Sequence, residues 1–297
     1  MAGSGGGDED LVHLLGVYKV ALLWYYSRLS GIAYPLPPGP SPHSASFFDS
    51  TTICPYLNGV FVEGRRGVSS EALLQLADQF LPATCQQPFY SVQFAAACDP
   101  VARTLRNDGL RAGVEGLGAS GRWEIEPLQI MLHPLDPLPA LREGLECVEI
   151  LPPGHPPEQS THFPLFEAYE RICADAFAYT YRPDIAQAHF AMGDTSLPEV
   201  RYVRNVIRRT SDNAFIGVGA YLWAPHLPVG YISEIAVLSS CQRQGVGVFV
   251  ISSILHSMAR RGVARAVLSS TEAGQALYLK TGFSVDPSVL SFMISNR

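Results

Sequence analysis

Residues 234–249 read EIAVLSSCQRQGVGVF. Ile235 to Leu238 has the apolar character of a buried strand, Ser239 to Gln244 is polar, and Val246 to Phe249 opens an apolar helix. The loop therefore sets Gly245 and Gly247 at a helix N-terminus, where the first N–H groups lack intrahelical acceptors and the helix dipole favours an anion. Glycine there lets backbone come close to a ligand. No Gly-Lys-Ser/Thr follows, so this is not a P-loop, and Phe249-Val250 stands where the dinucleotide fingerprint needs its third glycine. On these residues alone, an anion-binding turn and a plain strand-to-helix turn both remain open.

Outward from this stretch the second half of the chain alternates between the two periodicities. Cys147 to Leu151 reads as a short strand, and Phe163 to Tyr181 places Phe166, Tyr169, Ile172, Ala176 and Phe177 at helical spacing. Pro183 opens a second short helix. Strands are expected at 200–208, 214–223 and 230–238, then a helix at 245–261, a strand at 264–269, a helix at 272–281 and a strand pair around 283–294. Antiparallel strands giving way to a strand–helix–strand unit predict an α/β fold with a mixed, mostly antiparallel sheet flanked by helices.

The first half repeats part of that order. Strand-like runs at 58–62, 89–94 and 123–132 alternate with helical runs at 69–80 and 100–107, and Asn107-Asp-Gly109-Leu110 answers Lys280-Thr-Gly282-Phe283. A duplicated unit and a chance recurrence of α/β order account for this equally well. The expected organisation is a Gly-rich disordered tail at 1–8, a lobe at 9–144 containing a Pro-rich connector at 34–43, and a second domain at 145–297.

Composition excludes several classes. The 297 residues are 47% hydrophobic and carry a formal charge of -6, with no long Lys/Arg run. That argues against a protein built to grip nucleic acid or an anionic membrane. The excess acid lies mostly in residues 1–144, with 14 acidic and 9 basic side chains against 13 and 12 in residues 145–297. The six cysteines form no C-x-x-C pair and no zinc-like spacing with histidines, so no metal is expected. Met1 leads into Gly-rich sequence and Asp8-Glu9-Asp10, the wrong charge for a secretory leader, which favours a cytoplasmic location. The apolar run from Leu11 to Tyr26 falls short of the roughly 18–20 residues a membrane span needs and carries Lys19, so it reads as a buried helix.

Gln242-x-x-Gly245-x-Gly247 after a strand, followed some thirty residues later by Ala276-Leu-Tyr278-Leu-Lys-Thr-Gly282-Phe283, resembles the GNAT superfamily of acyl-CoA-dependent N-acyltransferases over residues 145–297. The resemblance implies acetyl-CoA as acyl donor. The motif beginning at Gln242 would hold its pyrophosphate on the backbone amides of Arg243, Gln244, Gly245, Val246, Gly247 and Val248. The pantetheine arm would pair with the splayed strand at Ile235, Ala236 and Val237. Tyr278 matches the family's tyrosine that protonates the departing thiolate, and Glu234 is the candidate base for the incoming amine. Thr271 stands where many relatives carry an Asn that contacts the cofactor or a catalytic water. In the first half, Gly64-Arg-Arg-Gly67-Val-Ser69 and Leu105 occupy the corresponding motif positions, and Asn58-Gly-Val-Phe61 resembles a segment of two-domain GNAT proteins whose first domain is silent. That half is expected to bind no cofactor.

The resemblance thus implies an N-acetyltransferase moving an acetyl group to a primary amine of a small molecule or peptide, by direct attack in a ternary complex. The acceptor would lie between Tyr169, the Trp223 to His226 turn and the C-terminal strands. The rival expectation is an acyl-CoA sensor or scaffold that kept the fold. A β-branched residue at Gly247 is expected to abolish cofactor binding by standing where the pyrophosphate approaches.

Overall fold

The computed structural model describes residues 44–48, 59–64, 91–97, 123–151, 160–178, 180–192 and 200–296. The helices expected at 69–80 and 100–107, the tail and the 34–43 connector lie outside these residues. By contacts the chain divides into two units, one comprising Met1–Ile130, Ser270–Glu272 and Asp286–Arg297, the other Met131–Ser269 and Ala273–Val285.

In the first unit, β1 (Ser44–Phe48) pairs antiparallel with β2 (Gly59–Gly64), and β2 pairs parallel with β3 (Ser91–Ala97). Strand β4 (Trp123–His133) follows in the chain. The strand pair expected around 283–294 is instead one strand, β10 (Ser284–Asn296). Asp286-Pro287 reads as a turn signal, yet the antiparallel ladder with β3 begins at Val289, so the proline's missing N–H falls outside that ladder.

The second unit contains, in chain order, β5 (Leu145–Ile150), α1 (Phe163–Ala176), α2 (Pro183–Met192), β6 (Arg201–Arg209), β7 (Phe215–Trp223), β8 (Val229–Val237), α3 (Val246–Arg260), β9 (Arg265–Ser270) and α4 (Glu272–Lys280). Its strands lie in the order β9-β8-β7-β6-β5, with β5 through β8 antiparallel and β8 parallel to β9. The sheet is mixed and mostly antiparallel, as the alternating periodicities imply. Strand β7 (FIGVGAYLW) is buried from Ile216 to Leu222, because helices cover both its faces. Tyr221 donates or accepts a 2.8 Å hydrogen bond with Ser257 of α3, so odd-numbered β7 positions face α3. A Cβ at Gly219 would stand 2.6 Å from side-chain carbons of Val250 and Ile254. Glycine at this position is what lets α3 lie close to the sheet.

Helix α3 carries the core. Val250, Ile251 and Leu255 are fully buried, and burying a side chain of this size stabilises by about 1.5–3 kcal/mol. Its far end is tied down by Arg261, whose guanidinium forks onto Glu149 of β5 at 2.7 Å to both oxygens and donates to Ser257 Oγ at 2.6 Å.

Strand β8 changes register at one residue. Ala220 of β7 pairs with Glu234 and Tyr221 with Ile232, leaving Ser233 unopposed. This β-bulge reverses which residues face which helix. Before it, Gly230 lies against Met258 of α3, and after it Ile235 lies beside Gly219 on that same face. Glu234 is thereby turned to the α1 face.

Candidate active site

Strand β8 splays from β9. Their parallel ladder runs from Val229–Arg265 to Ile232–Leu268 and stops, so among the described residues Glu234–Val237 pairs with β7 alone. Leu238 N–H donates to Ile216 of β7 at 3.1 Å. Antiparallel pairing alternates the direction of backbone groups along a strand. Ala236 therefore directs its N–H and C=O toward β7, and Ile235 and Val237 direct theirs to the open edge. Two of the three strand residues singled out by sequence thus present backbone at the splay, and the third does not.

That edge runs into the loop before α3. Gln242 is extended (φ -65°, ψ 159°), while Arg243 (φ 60°) and Gly245 (φ 81°) are left-handed, so the backbone folds back on itself before the helix begins. Gly245 is the N-cap of α3 and supplies no side-chain cap; the first intrahelical bond is Phe249 N–H to Gly245 C=O at 3.2 Å. The N–H groups of Val246, Gly247 and Val248 precede that bond, and the first turn holds no acidic side chain. An anion would find there a set of donors and the positive end of a 15-residue helix. Gln244 uses its side-chain amide to hold the Ser240 carbonyl at 3.1 Å.

The two glycines do different work. Gly245 meets a backbone conformation that L side chains rarely adopt. Gly247 does not, and a Cβ there would meet Leu277 of α4 at 3.2 Å and Val237 at 3.9 Å. The space beside Gly247 is thus a packing contact between α3 and α4.

Tyr278 stands on α4, half-buried, with its ring edge-on to Phe283 at 5.7 Å. Burial pushes its phenol up to about 12, and the nearby Tyr231 phenol of β8 adds to the shift, so Tyr278 is protonated across the neutral range. Its backbone carbonyl ends α4 by accepting from Thr281 and Phe283 N–H at 3.0 and 3.1 Å, with Gly282 left-handed at φ 95°. Thr271 lies between β9 and α4, its carbonyl taking a 2.7 Å bond from Ser270 Oγ.

Glu234 sits half-buried beside the bulge, and the buried phenol of Tyr169 on α1 donates to its Oε2. Tyr169, read from sequence as lining the acceptor, is thus bonded to the base candidate. Two further residues escaped sequence reasoning. Arg142 donates its guanidinium to the Gln244 carbonyl, 102 positions along the chain, from a Pro-rich surround that carries no local signal. His133 is buried, accepts Leu135 N–H at Nδ1 (2.9 Å), bonds the Thr281 backbone, and packs its ring 5.1 Å from Phe283. It braces the turn that ends the Tyr278 helix. His256, by contrast, is occupied with the Pro139 carbonyl at 2.9 Å.

Comparison with known proteins meets this geometry. Residues 166–283 match the model of the acetyltransferase (GNAT) family. A GCN5-related N-acetyltransferase from Kribbella flavida shares the fold with a TM-score of 0.51 at 15% identity, over 94% of this chain and 94% of its own. A second, from Sphaerobacter thermophilus, gives 0.51 at 15% identity over 86% and 76%. A tandem GNAT protein from the clavulanic acid biosynthesis pathway gives 0.50 at 12% identity over 94% and 95%. No curated protein sequence matches the chain significantly. The splayed strand, the uncapped helix start and the match to the acetyltransferase (GNAT) family model all fall within residues 166–283.

Proposed function

We propose that this domain moves an acetyl group from acetyl-CoA to a primary amine of a small molecule or peptide by direct attack in a ternary complex, and that residues 9–144 are a catalytically silent companion lobe in a cytoplasmic protein. The observation that carries the reading is the open edge of β8 from Ser233 to Val237, which leads directly into the uncapped N-terminus of α3. An extended pantetheine amide chain could pair with the Ile235 and Val237 backbone while the pyrophosphate lies on the N–H groups from Arg243 to Val248. A strand N–H polarising the thioester carbonyl would contribute about 10²- to 10³-fold.

In this reading the amine nitrogen attacks the thioester carbon, Glu234 accepts the amine's proton directly or through water, the C–S bond breaks, and Tyr278 gives its proton to the departing sulfur. General-base help is worth about 10²- to 10⁴-fold. The raised phenol pKa suits Tyr278 to the role of donor, since the group is protonated whenever a thiolate must be neutralised.

Calorimetric titration with acetyl-CoA is the first test, and no binding at millimolar concentration would sink the proposal. Release of free thiol over a panel of amines is the second, and binding without release under any amine would leave a sensor in place of an enzyme. Tyr278→Phe should slow turnover by about 10²-fold with little change in acetyl-CoA affinity; an unchanged rate means the acid is another group.

A further inference from the structure

We infer that Tyr169 is a positioning residue for Glu234, holding the carboxylate in one orientation at the splay; this rests on the reading of Glu234 as the base. Arg204 of β6 pairs with Ala220 of β7, and Ala220 with Glu234 of β8, so the three share one row across the sheet. With strands about 4.8 Å apart, the cation and the carboxylate spring from backbones about 10 Å apart. The fully buried Ala220 methyl lies between them.

Helix α1 spans that row with two aromatic rings. Phe166 and Tyr169, both buried, stack at 6.2 Å with planes 12° apart. The Arg204 guanidinium lies 5.3 Å from the Phe166 ring and 4.1 Å from that of Tyr202, and the Tyr169 hydroxyl donates to Glu234. The phenol is therefore held by its neighbours in the place where it meets the carboxylate. A hydroxyl donating to a carboxylate makes one of the stronger hydrogen bonds and fixes the place of the oxygen that accepts it. Ionisable groups on the neighbouring elements include the buried thiol of Cys173 one turn on from Tyr169, Arg204 on β6 and Tyr231 on the same strand as Glu234, while β7 contributes the apolar Val218 and Ala220. Asp175, farther along α1, accepts the Ser239 N–H at 2.7 Å.

The test uses the full chain with ¹³C-labelled glutamate carboxyls, the Glu234 signal being identified by its loss in Glu234→Gln. Tyr169→Phe keeps the stacked ring and removes the donor. Loss of a hydrogen bond to a charged group should shift the Glu234 carboxyl resonance and lower kcat by about tenfold. The calorimetric affinity for acetyl-CoA should be largely kept. An unmoved resonance overturns the inference whatever Glu234→Gln does to the rate. A moved resonance together with undiminished turnover in Glu234→Gln overturns the base reading instead, and with it the role in positioning.

Discussion

Alanine placed at each of the two motif glycines should have opposite consequences. At Gly245 the backbone is left-handed (φ 81°, ψ 3°), where a residue with a Cβ is disfavoured by roughly 1–2 kcal/mol. The new methyl would stand 3.0 Å from an Arg142 guanidinium nitrogen, the end of a flexible exposed side chain that can swing away from the Gln244 carbonyl at little cost. Gly245→Ala should therefore lose about 1–2 kcal/mol, or about 2–8 °C in Tm at roughly 2–4 °C per kcal/mol for domains of this size. Gly247 lies inside the first turn of α3, where alanine is favoured over glycine by about 1 kcal/mol. Against that gain, Leu277 must yield by a few tenths of an ångström to a Cβ at 3.2 Å. Gly247→Ala should leave Tm within about 2 °C of the parent, by the same conversion. Thermal unfolding followed by circular dichroism decides the matter. Calorimetry with acetyl-CoA should find Gly245→Ala weaker by about tenfold, equivalent to 1.4 kcal/mol of lost loop preorganisation. Equal destabilisation of the two variants, or a larger loss at Gly247, would refute the division of labour between conformation and packing.

Burial lowers the His133 pKa, so the folded chain holds it neutral and the unfolded chain, titrating near 6.5, binds the proton first. Its contribution is complete above about pH 6.5 and is lost as pH falls below that value; the drop in Tm between pH 7.5 and 5.5 should shrink in His133→Asn. Gly219→Val should destabilise by at least about 1–3 kcal/mol in urea unfolding, since its first side-chain atom already overlaps Val250 and Ile254 and α3 must lift. Glu149→Gln removes the charge from a partly buried forked pair with Arg261 and should cost about 1–2 kcal/mol, with the loss smaller at high salt.

Much of the second unit could be read from the chain because its strands and helices carry clean periodicities. β7 is an unbroken apolar run, Pro183 opens α2, and Gly245 marks the start of α3 within one residue. Signals failed where a tertiary contact made the decision. Helix α1 stops at Ala176, with Ala178 left-handed at φ 56°, although neither glycine nor proline stands nearby to end it. The two glycines of β7 look like strand weakeners until α3 is seen pressing on them. In the site, the loop before α3 was legible because glycine and helix onset are local properties. The pairing of Tyr169 with Glu234 was not, since it joins residues 65 apart through a bulge at an ordinary serine. Arg142 and His133 reach their partners over equally silent distances.

The bulge at Ser233 gives β8 two parities in one strand. Up to Ile232 the even-numbered residues belong to the α3 core, and from Glu234 onward the odd-numbered ones do. Were the strand to run straight through Ser233, it would exchange the surroundings of everything after that point, driving the Glu234 carboxylate into the apolar packing around Val250 and Ile254 and turning Ile235 toward Tyr169. Deleting the serine would do the opposite: Ile232 and Glu234 would become neighbours in an unbulged strand, still opposite Tyr221 and Ala220, and the carboxylate would keep its face. The placement of Glu234 thus depends on one surplus residue being left out of the ladder, and not on which residue that is.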